Sequence, residues 1–326
     1  MRNVLRVVLL ALMLSLSMPA MAGPSEDAVA AYKRGDYAAA LKISLPLANQ
    51  GNAEAENLLG DMYSLGLGVQ QDYAQAAEWY RKAADQGVVG AQNNLAFSYE
   101  RGLGLPQDYA QAAEWYRKAA DGGDLAAQNN IAVMYEKGLG VPQDYAEALA
   151  WYRKAADQGQ GGAQTNLGIM YDNGRGVPQD RAMAAIWYRK AAAQGRPIAM
   201  NNLAFLYEHG LGMPQDYAQA VAWYRKAADQ GYPRAQANLA ILCKQGKGVP
   251  QDYVQAYKWL SLAASRSPDK ESRDQATSDR DSLAAKMTPG QIAEAQKLAR
   301  EWKAADPLDR RAWENNEVRN GARLRP

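Results

Sequence analysis

The chain has 326 residues, with 37 lysines and arginines against 35 aspartates and glutamates, and one histidine and one cysteine. Arg2 and Arg6 account for the whole formal excess of +2, so the rest of the chain is neutral and carries no global basic field for nucleic acid or anionic lipid. A lone cysteine excludes an intramolecular disulfide, and with a single histidine it excludes a His/Cys metal cluster.

In chain order, residues 1–22 read as a secretory signal peptide. Arg2 and Arg6 open it, residues 7–18 are apolar apart from serines, and Ala20-Met21-Ala22 gives the small-x-small cleavage pattern. Cleavage is expected after Ala22. No cysteine follows it to carry a lipid anchor, and no later stretch approaches ~18 consecutive apolar residues. The expected location is periplasmic or secreted, with no membrane insertion.

Residues 23–52 predict a shorter, tetratricopeptide-like capping helix pair. Asp36, Tyr37, Ala40 and Gly51 keep register with Asp72, Tyr73, Ala76 and Gly87, but the connecting loop is five residues shorter. Over residues 53–265 six units follow at a period of 36. Trp79, Trp115, Trp151, Trp187, Trp223 and Trp259 mark it without a slip, and Asp72 recurs as Asp108, Asp144, Asp180, Asp216 and Asp252.

Within a unit, Ala55, Leu59, Met62 and Tyr63 fall at helical spacing. Gly66 is placed to end that helix and Gly68 to turn the loop back. Asp72 caps the second helix, with Gln75 three residues on as the reciprocal partner of a capping box. Ala76, Trp79, Tyr80, Ala83 and Ala84 form its apolar stripe. Strand signals are absent. One such pair cannot bury its own apolar face, whereas stacked pairs can. The expectation is an all-α fold, an α-solenoid of antiparallel helix pairs forming a superhelix.

Ser261 and Leu262 replace the Arg-Lys pair of earlier units, which implies a cover on that end. Residues 266–304 supply it with two capping helices, expected over about 269–286 and 289–303. Residues 305–326 read as a flexible basic tail.

The pattern A-x-x-x-L-[GA]-x-x-Y-x-x-G-x-G-V-P-x-D-x-x-x-A-x-x-W-Y-x-K-A-A-x-x-G resembles the Sel1-like repeat, a relative of the tetratricopeptide repeat. The segment M-T-P-G-Q-I-A-E-A-Q-K-L-A-R-E-W at 287–302 is similar to the C-terminal cap of many bacterial members. The resemblance implies adaptor work on a protein or peptide partner, as members scaffold complexes in protein quality control, exopolysaccharide export and host interaction. Cys243 departs from it by taking the slot of Tyr63, Tyr99, Tyr135, Tyr171 and Tyr207.

The candidate peptide-binding residues are Asn94, Asn130, Asn166, Asn202 and Asn238, each directly before a core leucine or isoleucine of a first helix. At one register they can pair with successive peptide units of an extended segment on a concave face. The same amides can equally tie one repeat to the next. Five bonds at roughly 0.5–1.5 kcal/mol each barely offset an association cost of ~4–15 kcal/mol, so side-chain pockets are needed too. Phe97, Val133, Ile169, Phe205 and Ile241, three residues on, are placed to supply them or to serve as ordinary core.

Two other readings stand beside the adaptor: a glycan, polysaccharide or peptidoglycan-fragment binder using tyrosines and asparagines of that face, and, from the resemblance to cysteine-rich exported relatives, a β-lactam-interacting hydrolase. The tryptophans sit in the core stripe rather than on a platform. No G-x-S-x-G or S-x-x-K occurs, and Cys243 in a core slot should be buried and inert. No enzyme activity, cofactor, catalytic residue or metal site is expected.

Overall fold

The computed structural model describes residues 23–304. The proposed signal peptide and the basic tail lie outside them. The described residues form sixteen helices and no strand. Contacts divide the chain into two compact units, one ending at Asp108 and the other starting at Tyr109.

The first unit holds α1 (Pro24–Lys33), α2 (Tyr37–Asn49), α3 (Ala53–Leu65), α4 (Tyr73–Asp85) and α5 (Val89–Arg101). Each helix packs on the next, and α3 also meets α1 and α5. The second unit holds α6 (Tyr109–Asp121), α7 (Leu125–Lys137), α8 (Tyr145–Asp157), α9 (Gly161–Asn173), α10 (Arg181–Ala193) and α11 (Pro197–His209). It continues through α12 (Tyr217–Asp229), α13 (Pro233–Gln245), α14 (Tyr253–Arg266), α15 (Lys270–Ala284) and α16 (Pro289–Glu301). Neighbours pack in sequence to α14, which carries both α15 and α16. This is an all-α solenoid.

Alanines bring the helices close, and one tyrosine per pair fills the remaining space. Tyr116, Tyr152, Tyr188 and Tyr224 are fully buried beside Ala119, Ala155, Ala191 and Ala227. Each first helix of the repeats ends at a left-handed glycine such as Gly138 (φ 68°). The next glycine does more than turn the loop. A Cβ on Gly140 would stand 2.0 Å from the Tyr109 carbonyl oxygen, because the loop lies directly on the N-terminus of α6 in the preceding pair.

The aspartate caps form, but not as capping boxes. Asp72 accepts from the backbone N–H groups of Ala74 and Gln75, and Asp144 from those of Ala146 and Glu147. Their own N–H groups already donate to the carbonyls of Tyr63 and Tyr135 at the end of the first helix. Gln75 and Glu147 therefore have no cap N–H left to accept. Asp180, followed by Met183, caps in the same way. The reciprocal box does close at Thr288 and Gln291, where no such loop intervenes.

Glutamines join successive pairs. The side-chain amides of Gln128, Gln164 and Gln236 donate to the carbonyls of Ala120, Ala156 and Ala228, which are orphan acceptors in the last turn of the preceding helix. At the C-terminal end Trp302 packs edge-on to Trp259 at 6.2 Å, with the Arg266 guanidinium 4.4 Å over its ring.

Candidate functional site

The asparagine register lies on the first helices, half-buried except for Asn166, which is 3 % exposed. Its amides are used between repeats. In the first unit Asn94 donates to Asp61 Oδ1 at 3.1 Å. In the second, Asn166 donates to Asn129 Oδ1 at 2.9 Å and Asn238 to Asn201 Oδ1 at 3.0 Å. Asn129 and Asn201 in turn donate to Asn130 and Asn202, their chain neighbours, at 3.5 and 3.3 Å.

In the second unit the partner of the register is thus a second asparagine, readable in the doublets Asn129-Asn130 and Asn201-Asn202, whereas in the first unit Asp61 takes that role for Asn94. Where threonine takes the first position of the doublet, the Thr165 hydroxyl turns to the Gly161 carbonyl instead. An amide has two N–H groups and two acceptor lone pairs, so one bond along the stack leaves capacity for a ligand at a half-buried asparagine. At Asn166 burial removes that access.

The apolar residues three positions on are not uniform core. Val133 is buried at 4 % exposure, whereas Phe97, Ile169, Phe205 and Ile241 are only half-buried. The two phenylalanines are flanked one turn later by polar groups. The Arg101 guanidinium stands 5.7 Å over the Phe97 ring, and the His209 ring lies 4.2 Å from that of Phe205. His209 Nδ1 is 3.0 Å from the Phe205 carbonyl.

Behind this face run two polar rows that the repeat pattern alone does not single out. Buried tyrosines donate to carboxylates at the end of the first helix: Tyr152 to Glu136 and Tyr224 to Glu208, both at 2.8 Å. Burial, then the Glu208 charge, pushes the Tyr224 hydroxyl well above its ordinary pKa. Glu136 also pairs with Arg175 of the next repeat at 2.9 Å. In the second row, Arg81, Arg153 and Arg189 donate to the hydroxyls of Tyr99, Tyr171 and Tyr207 in the following repeat. Co-variation among the units themselves signals the first row: the last unit has Leu260 for tyrosine and Lys244 for the acid.

Cys243 replaces tyrosine in the second row and is 3 % exposed. Burial pushes its thiol pKa up, which outweighs the opposite pull of Arg225. That environment suits an inert thiol rather than a nucleophile. The six repeat tryptophans offer no open platform. Trp79, Trp115, Trp187 and Trp259 are buried, and lysine ammoniums cover the half-buried Trp151 and Trp223 at 4.7 and 4.2 Å. Among the described residues no three His, Cys, Asp or Glu side chains gather as a metal site, and no helix is long and apolar enough to cross a membrane.

The Sel1 repeat family model matches residues 53–88, 89–124, 125–160, 162–195, 197–232 and 233–268. A Sel1 repeat protein from Oxalobacter formigenes is 34 % identical over 74 % of this chain and 96 % of its own, with a TM-score of 0.70. A protective antigen of uropathogenic Escherichia coli strains, with an SLR fold, is 30 % identical over 93 % of this chain and 80 % of its own, with a TM-score of 0.38. No match was found among curated proteins.

Proposed function

The chain belongs to the Sel1 repeat family, and from that premise we propose that it is an exported adaptor, acting in the bacterial cell envelope, that holds protein or peptide segments along the face of the first helices within each unit. Sel1 repeats in general are non-catalytic scaffolds for protein–protein interaction. The observation that carries the finer reading is the state of that face. Phe97, Ile169, Phe205 and Ile241 recur there half-buried, each three residues after an asparagine of the register. Asn94, Asn202 and Asn238 are half-buried, and an amide offers more donor and acceptor positions than the single bond along the stack. Apolar side chains left partly open beside such amides give an extended segment both pockets and backbone partners. The second helices instead present charged residues such as Arg153, Lys154 and Asp157 to solvent.

The test is in-cell crosslinking and capture from the envelope fraction, comparing the native chain with Phe205→Asp. Loss of the captured partners is expected from a variant that still melts cooperatively, at a somewhat lower temperature because Phe205 packs against the core. Partners retained by a folded Phe205→Asp variant would remove the face from the reading. Export is checked in the same cells by the N-terminus of the mature chain, expected at Gly23 in the exported fraction. An uncleaved chain confined to the cytoplasm would overturn it.

A further inference from the structure

The face of the first helices follows one order in the five later repeats: an apolar side chain, then one turn on a polar or cationic one, as in Phe97/Arg101 and Phe205/His209. The first repeat inverts it. Asp61 stands in the apolar slot and Leu65 in the polar one, four residues apart on the same side of α3.

The Asp61 carboxylate is held rather than loose. Its Oδ1 accepts from the Tyr80 hydroxyl at 2.8 Å and from Asn94 Nδ2 at 3.1 Å, while Oδ2 takes no hydrogen bond among the described residues. The groups placed against it are these two and the Tyr32 phenol of α1, and none is cationic. Leu65, one turn on, is 59 % exposed. A carboxylate that is partly desolvated, fixed by neutral donors and without a counter-charge is poised for a cation brought from outside. Elsewhere an apolar residue, as at Phe97, fills this slot and the buried tyrosine donates to an acid such as Glu136 or Glu208; here Ser64 stands at the acid's position and Asp61 takes the Tyr80 hydroxyl through one oxygen, which leaves Oδ2 over.

We propose that Asp61 receives a lysine or arginine side chain of the bound segment, with Leu65 against an apolar neighbour of that residue. The first repeat would then set the direction in which a segment lies, basic residue towards α3. This rests on the reading that segments bind along the first helices.

Random-peptide phage display against the mature full-length chain tests it. The native protein should enrich peptides carrying a lysine or arginine beside an apolar residue. Asp61→Asn keeps the acceptor for Tyr80 and Asn94, so the fold should hold, which a thermal melt verifies. The same peptides should bind it roughly tenfold more weakly, the weight of one partly desolvated charge pair. Asp61→Phe, which copies Phe97, should exchange the basic preference for an apolar one. Enriched peptides that lack basic residues, or basic peptides bound equally by folded Asp61→Asn, overturn the assignment of Asp61. If those peptides are still weakened by Phe97→Ser, the face reading survives that failure. If nothing is enriched, or neither substitution matters, both fall.

Discussion

At the scale of the residue, the same slot does different work according to what it meets. Asp61 and Phe97 share a register, yet one is a fixed carboxylate and the other a half-buried ring. Burial raises the Asp61 pKa, and the Tyr80 hydrogen bond only partly offsets that. A carboxyl whose folded pKa lies above its unfolded value binds more protons when folded, so stability falls as pH rises through that window. The cost is absent below the unfolded pKa near 4 and fully present above the folded one. Asp61→Asn should therefore raise the urea midpoint at neutral pH, with the gain shrinking to nothing as pH approaches 4. A gain independent of pH, or a loss at pH 7, would show that the charge carries no such cost. The asparagines teach a related lesson. Their register was legible, but their role depended on Asn129 and Asn201, which sit one position earlier and make sense only once two repeats are stacked.

At the scale of the element, helix existence and extent were written plainly in the repeat. The capping helices expected over 269–286 and 289–303 are found as α15 and α16, one to two residues shorter at most ends. What the sequence could not show was competition for a shared group. Asp72 and Gln75 have the spacing of a capping box, but the Tyr63 carbonyl of the neighbouring helix takes the N–H first. The two kinds of glycine separate in the same way. Gly123 (φ 95°) has nothing within 4 Å of an added Cβ, whereas on Gly140 (φ 69°) that atom would meet the Tyr109 carbonyl at 2.0 Å. Alanine at Gly123 should cost about 1–2 kcal/mol, from backbone strain alone. At Gly140 the loop must also lift from α6, adding roughly 1–3 kcal/mol of overpacking. Urea midpoints of the two variants check this, and equal losses would mean that the loop contact contributes nothing.

At the scale of the whole molecule, stability is distributed along the stack, because each pair has only its neighbours to lean on. The Sel1 period made that architecture legible from tryptophan spacing alone. The face proposed for binding was legible only as a register, since near-identical repeats give little hint of where one differs in exposure. Trp151 of α8 shows what a distributed fold implies. It is half-buried under Lys154 and belongs to an apolar stripe with Ala148, Tyr152 and Ala155. Trp151→Ala should cost about 3 kcal/mol, the lower end for a core aromatic, because part of the ring already faces water. The loss should also be local. Hydrogen exchange should quicken first in α8 and in α7 and α9, which pack on it, while α13 to α16 stay protected by their own contacts and by the Trp259–Trp302 packing. An equal acceleration from Tyr109 to the end of α16 would mean that this unit unfolds as a single block, and that nearest-neighbour coupling does not describe it.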